Sequence, residues 1–142
     1  MKFTNGYWML RDEIEASYAV EYAKHTVNGN KLEVYLPAKH MSGRGDALNI
    51  ALLTLTLSSP QEGVIKVSAV HHKGMPYKGP FAAVKNENPN VTIEDTEDQL
   101  IYKSGTLKAV IDKAPNAYKL AFYEGDTFLT ESSFRNLAYM HN

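Results

Sequence analysis

Two short alternating runs limit this chain more than anything else in it. Leu53, Leu55 and Leu57 alternate with Thr54, Thr56 and Ser58. After Ser59-Pro60-Gln61-Glu62-Gly63, Ile65, Val67 and Ala69 alternate with Lys66, Ser68 and Val70. A period of two is the side-chain period of a strand, because successive Cβ atoms point to opposite faces. Pro60 fixes its own φ and removes a donor, and Gly63 admits a positive φ at the turn exit. The expectation is an antiparallel hairpin with an apolar face on a partner layer and a Thr/Ser/Lys face toward water.

Further short strands are expected around it. Tyr7–Leu10 reads as a short strand. Glu15–His25 reads as one strand, with Ala16, Tyr18, Val20 and Tyr22 on one side and Ser17, Ala19, Glu21 and Ala23 on the other. A helix is the competing reading there, since Ala and Glu form helices well; the following Asn28-Gly29 favours a tight hairpin into Lys31–Leu36. Pro37–Asp46 is a loop, and Lys73–Asn90, with its prolines and glycines, is a long irregular stretch. Val91–Glu94, Gln99–Lys103, Leu107–Asp112, Tyr118–Tyr123 and Thr127–Thr130 complete the strands, with an acidic turn over Asp95–Asp98. The tail Ser132–Asn142 shows no clear period. Short strands at regular spacing predict an all-β fold, an antiparallel β-sandwich or barrel, in one domain over residues 1–142.

Charge and composition narrow the partners. The 142 residues carry a net charge of −1 without a block of one sign, which argues against nucleic acid and anionic membrane. No cysteine is present, so thiolate chemistry and disulfides are out. The start lacks the apolar run of a signal peptide and no span reaches the ~20 apolar residues of a membrane helix, so a soluble cytoplasmic protein is expected.

Few residues suggest chemistry. His71 and His72 are adjacent on a strand, so they face opposite ways and cannot readily share a metal; His25, His40 and His141 are scattered. Glu94, Asp95, Glu97 and Asp98 lack the glycine and distal glutamate of a calcium loop and read as a solvated turn. Arg44-Gly45-Asp46 spells an integrin tripeptide but reads as a turn, and Asn90-Val91-Thr92 is a glycosylation sequon. Glu13, Glu15, Glu33 and Glu62 cannot be paired across a cleft as glycoside chemistry requires. No catalytic residue, metal or cofactor is expected. Tyr77 and Phe81, in the irregular stretch, could stack on a sugar or a partner domain, or plug one end of the sandwich.

Several stretches together resemble glycoside hydrolase family 31, particularly its bacterial α-xylosidases. They are the turn Ser59–Gly63 with the strand ending His72-Lys73-Gly74, the opening Gly6-Tyr7-Trp8, Val91–Glu97, and Lys103-Ser104-Gly105-Thr106-Leu107. The resemblance implies the first part of an N-terminal, galactose-mutarotase-like β-sandwich that packs on a catalytic (β/α)8 barrel. In this family the paired catalytic aspartates lie in that barrel and act with retention. No position here matches them, nor the family's Tyr-Gly-x-Gly-Glu stretch, and Pro37–Asp46 departs from the α-xylosidase pattern. A free-standing carbohydrate-binding module and an assembly domain are the alternatives. The resemblance further implies strand edges left open near Thr127–Tyr139, hence homo-oligomerisation.

Overall fold

The leucine ladder is the centre of one layer of a β-sandwich. The structure, a computed structural model, describes residues 9–72 and 89–142. In chain order the strands are β1 (Glu15–Tyr18), β2 (Lys24–Asn28), β3 (Lys31–Pro37), β4 (Leu52–Ser58), β5 (Lys66–Val70) and β6 (Val91–Asp95). They continue as β7 (Gln99–Ser104), β8 (Leu107–Asp112), β9 (Leu120–Glu124), β10 (Thr127–Ser132) and β11 (Ala138–His141), with one 3-10 turn at Arg44–Ala47. A four-stranded sheet has the order β2-β3-β4-β5 and a five-stranded sheet the order β10-β9-β8-β7-β6; β1 and β11 form a third, two-stranded sheet. Every pairing is antiparallel. The all-β sandwich is therefore as the alternation requires.

Register explains the core. Leu32, Val34 and Leu36 of β3 stand opposite Leu57, Leu55 and Leu53 of β4, and all six are buried. The facing sheet meets them with Leu100 and Tyr102 of β7, Ala109 and Ile111 of β8, and Leu120 of β9. Each fully buried leucine contributes about 1.5–3 kcal/mol over its exposed state. Tyr102 has no exposed surface, so its hydroxyl needs a partner. It donates to the Asn30 carbonyl at 2.7 Å, which ties the five-stranded sheet to the β2–β3 turn of the other layer.

The β4–β5 hairpin has the expected phase: Leu55 stands opposite Ala69 and Leu57 opposite Val67. Burial differs between its strands. Leu55 is 1% exposed and Val67 42%, because β5 is the sheet edge. The two-residue loops are a second refinement. Gly29-Asn30, Gly105-Thr106 and Gly125-Asp126 each carry positive φ at the glycine alone, the type II′ pattern whose twist matches paired strands. The turn expected at Asn28-Gly29 is thus one residue later, and Asn28 stays in the ladder opposite Lys31.

Glu15–His25 is a correction: it is not one strand. β1 pairs with β11 and β2 with β3, and residues 19–23 form a corner between sheets. There the Ala19 N–H donates to Leu137 O at 2.9 Å, Val20 N–H to Pro37 O at 3.0 Å and Ala23 N–H to Tyr35 O at 3.0 Å; Val20 O accepts from Tyr118 N–H at 2.7 Å. The buried positions are Ala19 and Glu21. A corner backbone bonded alternately to separate layers admits a small side chain and a carboxylate that finds donors. The tail lacks a period, yet it makes β11 and packs Leu137 against the core. Of the segment Thr127–Tyr139, expected to seek a second copy, β10 stands at the edge of the five-stranded sheet among the described residues, and Ala138 and Tyr139 belong to β11, which pairs with β1. Of the expected strand Tyr7–Leu10, Tyr7 and Trp8 lie outside the described residues, and Leu10 forms an isolated bridge.

Candidate functional site

The outer faces of strands β7 to β10 build a groove. Register places Ile101 opposite Val110, and Val110 opposite Ala121. The next row runs Lys103, Lys108, Tyr123 and Phe128 across the four strands. Gln99, Ile101, Lys103, Lys108, Val110, Tyr123 and Asp126 line an open concavity of about 220 Å³. Val110 and Ala121 are buried although they point away from the core, because longer side chains beside them form the walls. Phe128 meets the Tyr123 ring edge-on, with centroids 5.7 Å apart and planes at 74°, and the Lys108 ammonium lies 5.7 Å from that ring's centroid.

Electrostatics balance the groove. Lys103 and Lys108 are directly opposite, and like charges so placed destabilise a sheet. Each has an acid beside it: Lys103 pairs with Glu94 at 2.5 Å and Lys108 with Asp126 at 3.1 Å. Gln99 donates to Asp112 at 3.0 Å. The groove therefore has an apolar floor, one aromatic wall and a rim of donors and acceptors with no net charge.

A second polar centre was not legible in the sequence. Glu21 is 5% exposed. Its carboxylate accepts from His40 Nδ1 at 2.7 Å, Met41 N–H at 2.9 Å and Asn116 N–H at 2.9 Å. Burial alone would raise its pKa, but the hydrogen bonds from His40, Asn116 and Met41, with the attraction of His40, outweigh that and hold it below the ordinary value. The carboxylate pins residues 40–41 and 116 to the corner. The alternating phase of Glu21 with Ala19 was the only available signal, and nothing in the sequence places His40 beside it.

The motif residues are dispersed. His71 Nδ1 lies 3.1 Å from Leu52 O, with its ring centroid 4.1 Å from that of Tyr139; His72 is exposed. His25 Nδ1 and the Tyr22 hydroxyl are 2.8 Å apart, and His141 stands 3.6 Å from Glu15. Among the described residues no group of three His, Asp or Glu could hold a metal ion. In the acidic turn, Glu94 pairs with Lys103 and Asp95 with Lys113, whose hydrogen bond lowers the Asp95 pKa. Of the Arg44-Gly45-Asp46 tripeptide, Asp46 accepts from the Ser42 hydroxyl at 2.7 Å, Gly43 N–H at 2.9 Å and Ser42 N–H at 3.0 Å, which lowers its pKa to about 2. Its carboxylate holds its own loop. Asn90 of the sequon is exposed just before β6. Glu13 pairs with Arg11 at 3.9 Å, and Glu33 accepts from the Tyr35 hydroxyl at 3.4 Å. Tyr77 and Phe81 lie outside the described residues.

Two of the motif stretches meet. The Ser59 and Ser104 hydroxyls are 2.7 Å apart, Ser59 donates to Gln61 O at 2.7 Å, and Gly63 N–H donates to Ser104 at 3.1 Å. Gly105 has φ +60, and a Cβ on it would stand 3.1 Å from Glu62 Cγ. Turn Ser59–Gly63 and strand-turn Lys103–Leu107, distant in sequence, thus clasp the two sheets at one end. Among the described residues no helix is long and apolar enough to cross a membrane.

No protein-family model matches the chain. Curated relatives do. The chain is 32% identical over 142 residues, its whole length, to alpha-xylosidase XylQ of Lactiplantibacillus pentosus, covering 18% of that enzyme. It is 31% identical over 147 aligned residues, 99% of its length, to an alpha-xylosidase of Emericella nidulans, covering 19% of it. The chain spans under a fifth of the length of the curated relatives it matches.

Proposed function

We propose that this chain is a non-catalytic N-terminal β-sandwich domain of a family 31 α-glycosidase of α-xylosidase type. The observation that carries the reading is the similarity to two α-xylosidases along the entire chain and under a fifth of each of theirs. The contact between the Ser59–Gly63 and Lys103–Leu107 stretches supports it, because two of the stretches that carry the family resemblance form one structural unit. In this reading the parent enzyme is cytoplasmic and hydrolyses α-xylosides or α-glucosides with retention. The catalytic carboxylates lie in its (β/α)8 barrel. The sandwich supports that barrel, rims the substrate cleft and contributes to assembly of the oligomer.

The geometry of the acids here accords with a supporting role. A retaining pair needs two carboxyl groups about 5–5.5 Å apart on either side of a bond. Glu94, Asp95, Asp126 and Asp112 are instead committed to lysines, and Glu21 to backbone N–H groups and His40. Incubation of the purified chain with aryl α-xyloside and aryl α-glucoside is expected to give no turnover. Turnover abolished by a point change within this chain would overturn the reading.

A further inference from the structure

The groove on the outer face of the five-stranded sheet has a chemistry of its own. Its size excludes an enclosed drug-sized cofactor, since about 220 Å³ falls below the roughly 300 Å³ at which such pockets begin. One pyranose ring is of the right scale. Its floor, Ile101 and Val110, is apolar, and Val110 is nearly buried on a face that otherwise looks to solvent. Its wall, Tyr123, is held edge-on by Phe128.

The rim selects between ligand classes. Two lysines directly opposed would suit an anion if they were unpaired. Glu94 and Asp126 neutralise them, so an incoming anion would meet two carboxylates as well. Each ammonium has three N–H donors and its carboxylate partner uses only part of them. Asp126 is fully exposed and keeps free acceptor capacity. Donors and acceptors around an apolar floor and an aromatic wall match a neutral ring with one C–H face and a circumference of hydroxyl groups. We propose that this groove is a sugar-contact site that takes one neutral pyranose, its C–H face on Ile101, Val110 and Tyr123 and its hydroxyls on Lys103, Lys108 and Asp126. The choice of an α-xyloside as the sugar rests on the functional reading above; the neutral-sugar chemistry does not.

The test is a titration of the ¹⁵N-labelled chain with methyl α-D-xylopyranoside. Saturable shifts are expected at the amides of residues 99–103, 108–110 and 123–126. Tyr123→Ala should weaken the apparent affinity about fivefold, the scale of one aromatic contact. Asp126→Asn sits on an exposed turn and keeps the fold, so it guards against a merely unfolded variant; it should weaken binding about threefold. No saturable shift, shifts centred elsewhere, or the same shifts produced by sodium sulfate would each overturn the proposal. Unchanged affinity in both variants would do so too. The isolated-chain hydrolysis assay is independent: turnover abolished by a point change there removes the non-catalytic reading and leaves the groove shifts intact, whereas a flat titration with no turnover removes the groove alone.

Discussion

The two sheets of this sandwich share an apolar interior and differ on their outer faces. Outside the four-stranded sheet stand Glu33, Tyr35, Thr54, Thr56, Ser58 and Ser68, with Leu52 and Val70 exposed at one end. Outside the five-stranded sheet stand Ile101, Val110, Tyr123 and Phe128 between balanced charges. The apolar groups of the first face are confined to the end beside His71, whereas Ile, Val, Tyr and Phe of the second run across four neighbouring strands. The contrast separates a face that closes the fold from one with something to touch.

The largest effect lies inside and sets the scale for the comparison. Leu55→Asp buries an unpaired charge and should cost at least about 4 kcal/mol, enough to unfold the domain. Thr56→Asp, one residue on and on the outer face, sets a carboxylate opposite Glu33 and should cost only about 1 kcal/mol. Equal losses in urea denaturation would show that the strand phase is wrong. Next comes the corner. Glu21→Ala leaves the Met41 and Asn116 N–H groups without their acceptor and should cost about 3 kcal/mol. The folded pKa of Glu21 lies below its unfolded value of 4.5, so its stabilisation is complete above that pH. It disappears as pH falls through the folded value. Melting temperature measured from pH 7 to 3 should therefore fall more steeply in the parent chain than in Glu21→Gln.

The outer faces are compared directly by one more pair. Ile101→Asp places a carboxylate opposite Glu94, as Thr56→Asp does opposite Glu33, but also removes the groove floor, so it should cost about 2 kcal/mol against about 1 for Thr56→Asp. If the two cost the same, the outer faces are equivalent and the contrast fails. A comparably small effect is expected at the clasp. Gly105→Ala forces an alanine into φ +60 and toward Glu62, for about 1 kcal/mol. A neutral result in thermal melts would show that the Ser59–Ser104 end relaxes freely.

Legibility in the sequence follows from how local each determinant is. The Leu53, Leu55 and Leu57 phase was readable because a strand's period is set by neighbours two residues away. Glu15–His25 was misread because its partners, Leu137, Pro37 and Tyr118, come from remote segments, and a corner bonded to several layers has no period of its own. β11 shows no period in the sequence for the same reason: among the described residues its one ladder is to β1. The groove combines Ile101, Val110, Tyr123 and Asp126 from strands and turns whose alignment is fixed by register, and register is invisible in single strands. Glu21 read only as one position on a strand face, and its burial depends on donors from the remote segments 40–41 and 116. Tyr77 and Phe81, chosen for aromatic character alone, fall outside the described residues.

One measurement addresses the central claim that this chain is a supporting domain of an α-xylosidase. In the L. pentosus α-xylosidase, the segment matching this chain is replaced by residues 1–142, and hydrolysis of an aryl α-xyloside is assayed beside the parent enzyme and a version lacking the segment. The account predicts that the replacement yields soluble enzyme with activity within about tenfold of the parent, that is within about 1.4 kcal/mol, while the deletion is inactive. A replacement as inactive as the deletion, despite a folded sandwich by circular dichroism, would contradict it.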